Sequence, residues 1–189
     1  MAPDHALPAH VEEAPPPDEG LLVRLARRGD MDAFGSLYRR HARAVHALAW
    51  RLTSDRALAE DIVQDAFVRM LGHVDGLDPR RPVLPWLKRV AANLAIDRLR
   101  RRWRDLPEDA ALAPVAGERP PDAYGEALGL LQRLPPLARA LVWLNQMEGW
   151  SHPELGRRFG RSESWSKSIV HRALAQLRDH VAEEHRDAE

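Results

Sequence analysis

Apolar residues recur at helical spacing from Leu21 to about Arg104, and the same pattern returns from Glu126 to about Val181. No run of alternating β-branched residues is long enough for a strand, and there is no internal repeat. The pattern therefore predicts an all-α chain. Residues 21–51 read as a helix pair with a break near Gly29-Asp30. Within residues 58–71, Leu58, Ile62, Val63, Ala66, Phe67, Met70 and Leu71 make one buried face. The opposite side shows Asp61, Gln64, Asp65 and Val68 as a polar stripe. Residues 85–104 open on a proline, which suits a first helical turn. Leu87, Val90, Ala91, Leu94 and Leu99 are its expected core positions, while Trp86, Arg89, Asn93, Asp97 and Arg100 share another face.

Two stretches break the pattern. Residues 1–19 are rich in Pro, Ala and acid and cannot bury a core; they read as a disordered tail. Residues 105–125 hold Pro107, Pro114, Pro120, Pro121, Gly117 and Gly125 and read as a linker. The expected organisation is two small helical domains, residues 20–104 and 126–181, on a flexible tether, with a short charged tail at 182–189.

Charge sharpens this picture. The formal net charge is zero, with 28 basic and 28 acidic residues. Residues 79–104 nevertheless hold nine Arg or Lys against one acid, Asp97, and residues 151–178 hold six against two. Residues 105–126 between them carry six acids and one Arg. Two basic segments flanking an acidic one point to two anion-binding surfaces on one chain.

The second domain carries the sharpest local motif. Ser151-His152-Pro153-Glu154 is a capping box, and Trp150 and Leu155 stand where a hydrophobic staple would. A short helix to Phe159, a turn at Gly160 and a second helix capped by Ser162 follow. Val170, Leu174, Leu177 and Val181 are the expected inner positions of that helix. Ser164, Lys167, Ser168, His171 and Arg172 lie on or beside its outer face. Helix, glycine turn and polar, basic second helix make a helix-turn-helix, whose second helix suits the major groove of DNA. In the first domain, Trp86 and Trp103 bracket an arginine-rich helix, the pairing of aromatics and cations that unpaired bases stack on. Asn93 and Asp97 lie one turn apart between them, and Asn can hydrogen-bond a base edge.

Other classes find little support. There are no cysteines, which removes disulfides, thiolate metal sites and cysteine nucleophiles. His41/His46 and His180/His185 are five apart, which does not place either pair on one helical face. No HExxH, P-loop, nucleophile elbow or Gly-rich nucleotide loop is present, so neither an enzyme nor a cofactor is expected. No apolar run approaches the roughly 20 residues a membrane span needs. Residues 1–20 lack the layout of a signal peptide, so a cytoplasmic protein is the expectation.

Taken in order, these pieces resemble the sigma-70 family of bacterial RNA polymerase factors, specifically its small extracytoplasmic function (ECF) group. The segment from Ala59 to Phe67, AEDIVQDAF, is similar to region 2.2 of that group. The segment from Pro85 to Asp97, PWLKRVAANLAID, with the arginines after it, resembles regions 2.3 and 2.4. Leu134-Pro135-Pro136, Glu148-Gly149-Trp150-Ser151, Glu154-Leu155, Lys167-Ser168 and His171-Arg172-Ala173 are similar to region 4. The resemblance covers residues 20–104 and 126–180.

It implies a division of labour. Asp61, Gln64 and Asp65 become contacts to the clamp helices of the polymerase's largest subunit. Trp86, Lys88, Arg89, Asn93, Asp97 and Arg100 become contacts to the minus-ten element, with Lys88 and Arg89 on phosphate and residues 74–82 around a flipped base. Ser164, Trp165, Lys167, Ser168, His171 and Arg172 become contacts to the minus-thirty-five duplex. The acidic linker would run through a basic polymerase channel, and an anti-sigma partner is implied. The chain departs from the family at Ser164-Trp165-Ser166, where Gly-Thr-Val is common, with Ser166 on the face that should be buried. It departs again at Gly156, where alanine is customary and glycine costs about 1 kcal/mol of helix stability. The alternative from another class is a polymerase-independent helix-turn-helix transcription regulator, which would explain residues 126–181 and leave the Asp61–Asp65 stripe and the Asn93–Asp97 helix without a role.

Overall fold

The computed structural model describes residues 18–103, 126–131 and 133–187. Of the expected tail at 1–19, residues 1–17 lie outside the described residues, as do the linker at 105–125, Arg104 and the Trp103 side chain, whereas Asp18 is described and Glu19 opens the first helix. The described residues form eight α-helices and no strand: α1 (Glu19–Ala26), α2 (Met31–Thr53), α3 (Arg56–Gly72), α4 (Val83–Trp103), α5 (Glu126–Leu131), α6 (Pro136–Gln146), α7 (His152–Phe159) and α8 (Glu163–Asp187).

Local chemistry sets most boundaries. Gly29, at φ +87°, turns the chain between α1 and α2, and Asp30 then accepts from the N–H groups of Asp32 and Ala33. Ser54, at φ +54°, ends α2 in the left-handed conformation, and Asp55 caps α3 through the Leu58 N–H. A single 3₁₀ turn, Val74–Gly76, leads towards α4.

In the first domain α2 packs on α1, α3 and α4. Leu37, Val45, Leu48, Leu52, Ile62, Ala66, Met70, Leu87, Ala91 and Leu99 are buried between them. Leu71 is not part of that face: it stands 44% exposed, because twelve residues beyond Ala59 the helical rotation has carried it off the buried stripe. Helix α4 buries more than one side. Ala92, Ala95 and Ile96 are covered as well as the expected Leu87, Ala91, Leu94 and Leu99, whereas Val90 is half-buried.

Ala92 lies beside Glu148 and Trp150 of the second domain, in which α6 and α7 pack on α8. There Leu141, Leu144, Leu155, Ile169 and Ala173 are fully buried. Helix α6 also lies on α2, and α7 lies on α4, so the two domains share one continuous hydrophobic cluster. None of the described helices is long and apolar enough to cross a membrane.

Candidate nucleic-acid and polymerase interfaces

Helix α3 presents its polar stripe outward. Asp61 and Gln64 are exposed, Val68 is 63% exposed, and Asp65 is half-exposed and pairs with Arg98 of α4 at 3.0 Å. Both partners of that pair keep about two fifths of their surface in water. The pair therefore contributes at most about 1 kcal/mol, and the stripe remains a solvent-facing acidic surface.

On α4 Trp86, Arg89, Asn93, Asp97 and Arg100 lie on one side, with Lys88 off that face, and they differ in surroundings. Trp86 is half-buried and stacks flat on His73 from the α3–α4 connection, with ring centroids 5.6 Å apart. Asp97 faces Arg100 at 3.7 Å. The Asn93 Oδ1 and Arg100 Nε atoms are buried, with no hydrogen-bond partner among the described residues.

Lys88 and Arg89 reach across to the second domain. Lys88 Nζ donates to both carboxylate oxygens of Glu148, at 2.9 and 3.2 Å. The Trp143 indole N–H also donates to Glu148, at 3.3 Å. The Arg89 guanidinium lies 3.7 Å from the centre of the Trp150 ring and donates to the Glu154 carboxylate. Two further contacts accompany these. Arg51 of α2 lies 4.7 Å from the Trp143 ring centre. Arg139 of α6 donates to the Ser54 hydroxyl, and burial lowers its pKa from the ordinary arginine value. Nothing in the sequence pattern singled out Arg139, and Glu148 was marked only as part of the region 4 resemblance, because each finds its partner on the other domain. Glu154 was visible only as a capping residue.

The helix-turn-helix is built by α7, a turn and α8. Glu154 closes the capping box: the Ser151 N–H and hydroxyl both donate to its carboxylate, and its own N–H reaches back to Ser151 Oγ. These donors, together with Arg89, hold the Glu154 carboxyl at a pKa of about 2. Trp150 and Leu155 are both buried at the staple positions. Gly160, at φ +69°, ends α7, and Ser162 Oγ accepts from the Trp165 N–H to start α8.

Gly156 has a structural reason. A Cβ there would come within 2.8 Å of the Ser162 carbonyl carbon and oxygen and 3.0 Å of the Arg161 carbonyl oxygen. The Arg161 N–H donates to the Gly156 carbonyl at 2.8 Å, so the turn folds tightly against this residue.

The outer face of α8 carries Ser164, Lys167, Ser168 and His171, all exposed, with Arg172 half-buried beside them. Lys167 pairs with Glu163 one turn earlier, at 2.6 Å, and this contact lowers the Glu163 pKa. Trp165 departs from the expectation. Only 8% of it is exposed, and its ring packs against Phe159 at 5.6 Å, so it faces the core of the motif and away from the outer face. Ser166 is fully buried, as its position suggested, and its hydroxyl hydrogen-bonds the His152 Nδ1 atom at 3.1 Å. His152, at the start of α7, thus satisfies the polar atom that the Ser-Trp-Ser segment places inside.

Comparison with known proteins agrees with both halves. Residues 37–105 match the Sigma-70 region 2 model and residues 124–177 match Sigma-70, region 4. SigE, an ECF RNA polymerase sigma factor of Mycolicibacterium smegmatis, is 36% identical over 162 residues, which is 80% of this chain and 63% of SigE. The RNA polymerase sigma factor CarQ of Myxococcus xanthus is 33% identical over 165 residues, 83% of this chain and 94% of CarQ. Among solved structures, CnrH in complex with the cytosolic domain of CnrY covers 88% of this chain and 98% of its own, with a TM-score of 0.50 and 27% identity. With an acid-faced α3, a basic α4 and a helix-turn-helix in the order those models require, the chain belongs to the sigma-70 family of RNA polymerase factors and to its ECF group.

Proposed function

We infer that the chain is an initiation factor that docks on core RNA polymerase, recognises promoters and opens them. One observation carries the reading. A single chain combines an outward acidic stripe on α3, an arginine-rich α4, and a helix-turn-helix whose second helix turns Ser164, Lys167, Ser168 and His171 outward. A polymerase-independent regulator needs only the last of these, and the region 2 match over residues 37–105 leaves that alternative without support.

In this reading Asp61, Gln64 and Asp65 dock on the clamp helices of the largest polymerase subunit. Trp86, Lys88, Arg89, Asn93, Asp97 and Arg100 serve the minus-ten element. Lys88 and Arg89 hold phosphate, Asn93 and Asp97 read unpaired bases, and Trp86, already stacked on His73, offers an aromatic surface beside the loop. Ser164, Lys167, Ser168, His171 and Arg172 contact the minus-thirty-five duplex, with Trp165 supporting them from within. The energy for opening comes from captured bases and polymerase contacts; the chain itself carries no catalytic role and needs no cofactor. It acts in the cytoplasm, where its polymerase is. RpoE of Bartonella quintana, whose fold is similar, was solved with the anti-sigma factor NepR, and an anti-sigma protein is the further partner proposed here.

Run-off transcription tests the reading. Adding the purified chain to sigma-free core polymerase is expected to give start-site-specific transcripts from genomic templates. The D61R/D65R double variant is expected to keep its helical circular dichroism and lose co-purification with core. No specific transcripts from any template, in the absence of an inhibitor, would overturn it.

A further inference from the structure

We propose that α1 is a positioning element for promoter opening: Glu19 and Gly20 hold the α3–α4 connection in the shape that captures a flipped base. The inference rests on the reading of residues 74–82 as the loop around that base. It gives a part in DNA opening to two residues that belong to none of the polymerase or DNA contacts named above.

The connection has little of its own to hold it. Asp75, Gly76, Asp78, Arg80, Arg81 and Pro82 are exposed, and Leu77 is the buried residue among 74–82. Its internal bonds are local: the Gly76 N–H donates to the His73 carbonyl at 2.9 Å, and the Arg80 N–H donates to the Asp78 carboxylate at 3.0 Å. A segment with so few buried contacts opens readily. A loop that must be ordered each time it closes on a ligand loses affinity to that ordering.

Two contacts from α1 remove that freedom. Gly20 lies so close to the loop that a Cβ there would stand 2.5 Å from the Pro79 carbonyl oxygen. That oxygen belongs to the backbone and cannot swing aside as a side chain would, so glycine is what lets helix and loop meet. Alanine would be the better helix former at this position; what the chain gains from glycine is the approach to Pro79. The neighbouring Glu19 accepts the Val83 N–H at 2.6 Å and fixes the point where the loop becomes α4. Its second oxygen is held by the buried His41 ring at 2.9 Å, so the carboxylate is itself anchored. Adjacent residues of α1 thus grip the connection at 79 and at 83, on either side of the exposed Arg80, Arg81 and Pro82. The grip at 83 also sets the start of the helix that carries Trp86, Asn93 and Asp97, so the capture loop and the base-reading helix keep a fixed separation.

The test uses the full chain loaded on core polymerase, and single-stranded oligonucleotides spanning the non-template minus-ten element of a promoter mapped by run-off transcription. One oligonucleotide is intact, and each of the others lacks a single base. Wild-type holoenzyme is expected to show a position where loss of the base weakens binding roughly tenfold, the size of one base's stacking. In G20A the new methyl group must displace the Pro79 carbonyl. The penalty at that position is expected to shrink to about twofold or less, because the intact strand then binds nearly as weakly as the abasic one. E19A is expected to shrink it as well, and E19Q, whose amide oxygen still accepts the Val83 N–H, to restore it. Co-purification with core and helical circular dichroism are expected to match wild type in all three. A change in stability alone would weaken intact and abasic strands together and leave their ratio as it was, so a wild-type ratio in G20A and E19A overturns the role of α1 while the capture loop stands. Should G20A not fold, equal ratios in E19A and E19Q overturn it in the same way. A wild-type holoenzyme that gives specific transcripts but shows no sensitive position overturns the reading of residues 74–82, and the proposal with it.

Discussion

The carboxylate of Glu19, at the start of α1, accepts the backbone N–H of Val83, the first residue of α4, at 2.6 Å across 64 residues of sequence. Its other oxygen meets the buried His41 ring of α2 at 2.9 Å, and Arg40 approaches within 4.0 Å. One side chain thus satisfies an otherwise orphaned donor of α4 and ties three helices together. Glu19→Ala is expected to cost about 1–2 kcal/mol, the range for a lost helix cap or a charge-assisted bond. That lowers the melting temperature by roughly 2–8 °C, measurable by circular dichroism. An unchanged melting temperature would show that water replaces the carboxylate without loss.

Trp165 separates support from contact. Its ring lies against Phe159 inside the motif, so Trp165→Phe is expected to keep duplex affinity within about twofold, while Trp165→Ala costs about 3–5 kcal/mol of stability in that domain. Loss of duplex binding by Trp165→Phe, with an unaltered thermal transition, would mean that the indole touches DNA. Anisotropy with a minus-thirty-five duplex and thermal melting of the same samples distinguish the two.

The helical character, the break at Gly29-Asp30, the capping box and the outward stripe of α3 were all legible, because each is set by neighbours within about one helical turn. The Asp61, Gln64 and Lys167 side chains stand in solvent for the same reason. What could not be read depends on residues far apart in sequence. Spacing marks Glu19 only as an acid in a polar tail, and marks Ala92 and Ile96 as surplus apolar positions on a helix that has one obvious core face. Lys88 and Arg89 read as free cations because their carboxylates lie some 60 residues on. Trp165 was placed among the duplex contacts because spacing alone does not say which way a tryptophan in the first turn of a helix faces; its packing on Phe159 puts it inside the motif.

Gly156 sets two effects of opposite sign against each other. Alanine would gain about 1 kcal/mol of helix propensity. Its Cβ, however, would lie 2.8 Å from backbone atoms of Ser162, which cannot swing aside as a side chain would. Gly156→Ala is expected to lower the melting temperature, because the turn that positions α8 must shift. It is also expected to weaken duplex binding more than single-strand binding. A higher melting temperature with unchanged duplex affinity would show that the turn absorbs the methyl group freely.

Glu154 gives the second domain a specific dependence on acid. With its pKa lowered from 4.5 to about 2 by Ser151 and Arg89, the carboxylate favours the folded form whenever it is ionised. Its contribution is therefore complete above the unfolded-state pKa near 4.5 and fades as the pH falls towards about 2. Glu154→Gln keeps the capping geometry but cannot titrate, so the variant loses this part of the slope while every other carboxyl still titrates in both proteins. Urea unfolding from pH 6 to 2 is expected to show wild type more stable at the upper end, with the gap closing through the window from 4.5 to 2. Arg89→Ala should narrow the gap, because one of the groups that depresses the pKa has gone. Parallel wild-type and Glu154→Gln curves over the whole range would show that Ser151 and Arg89 do not favour the ionised carboxylate in the folded chain.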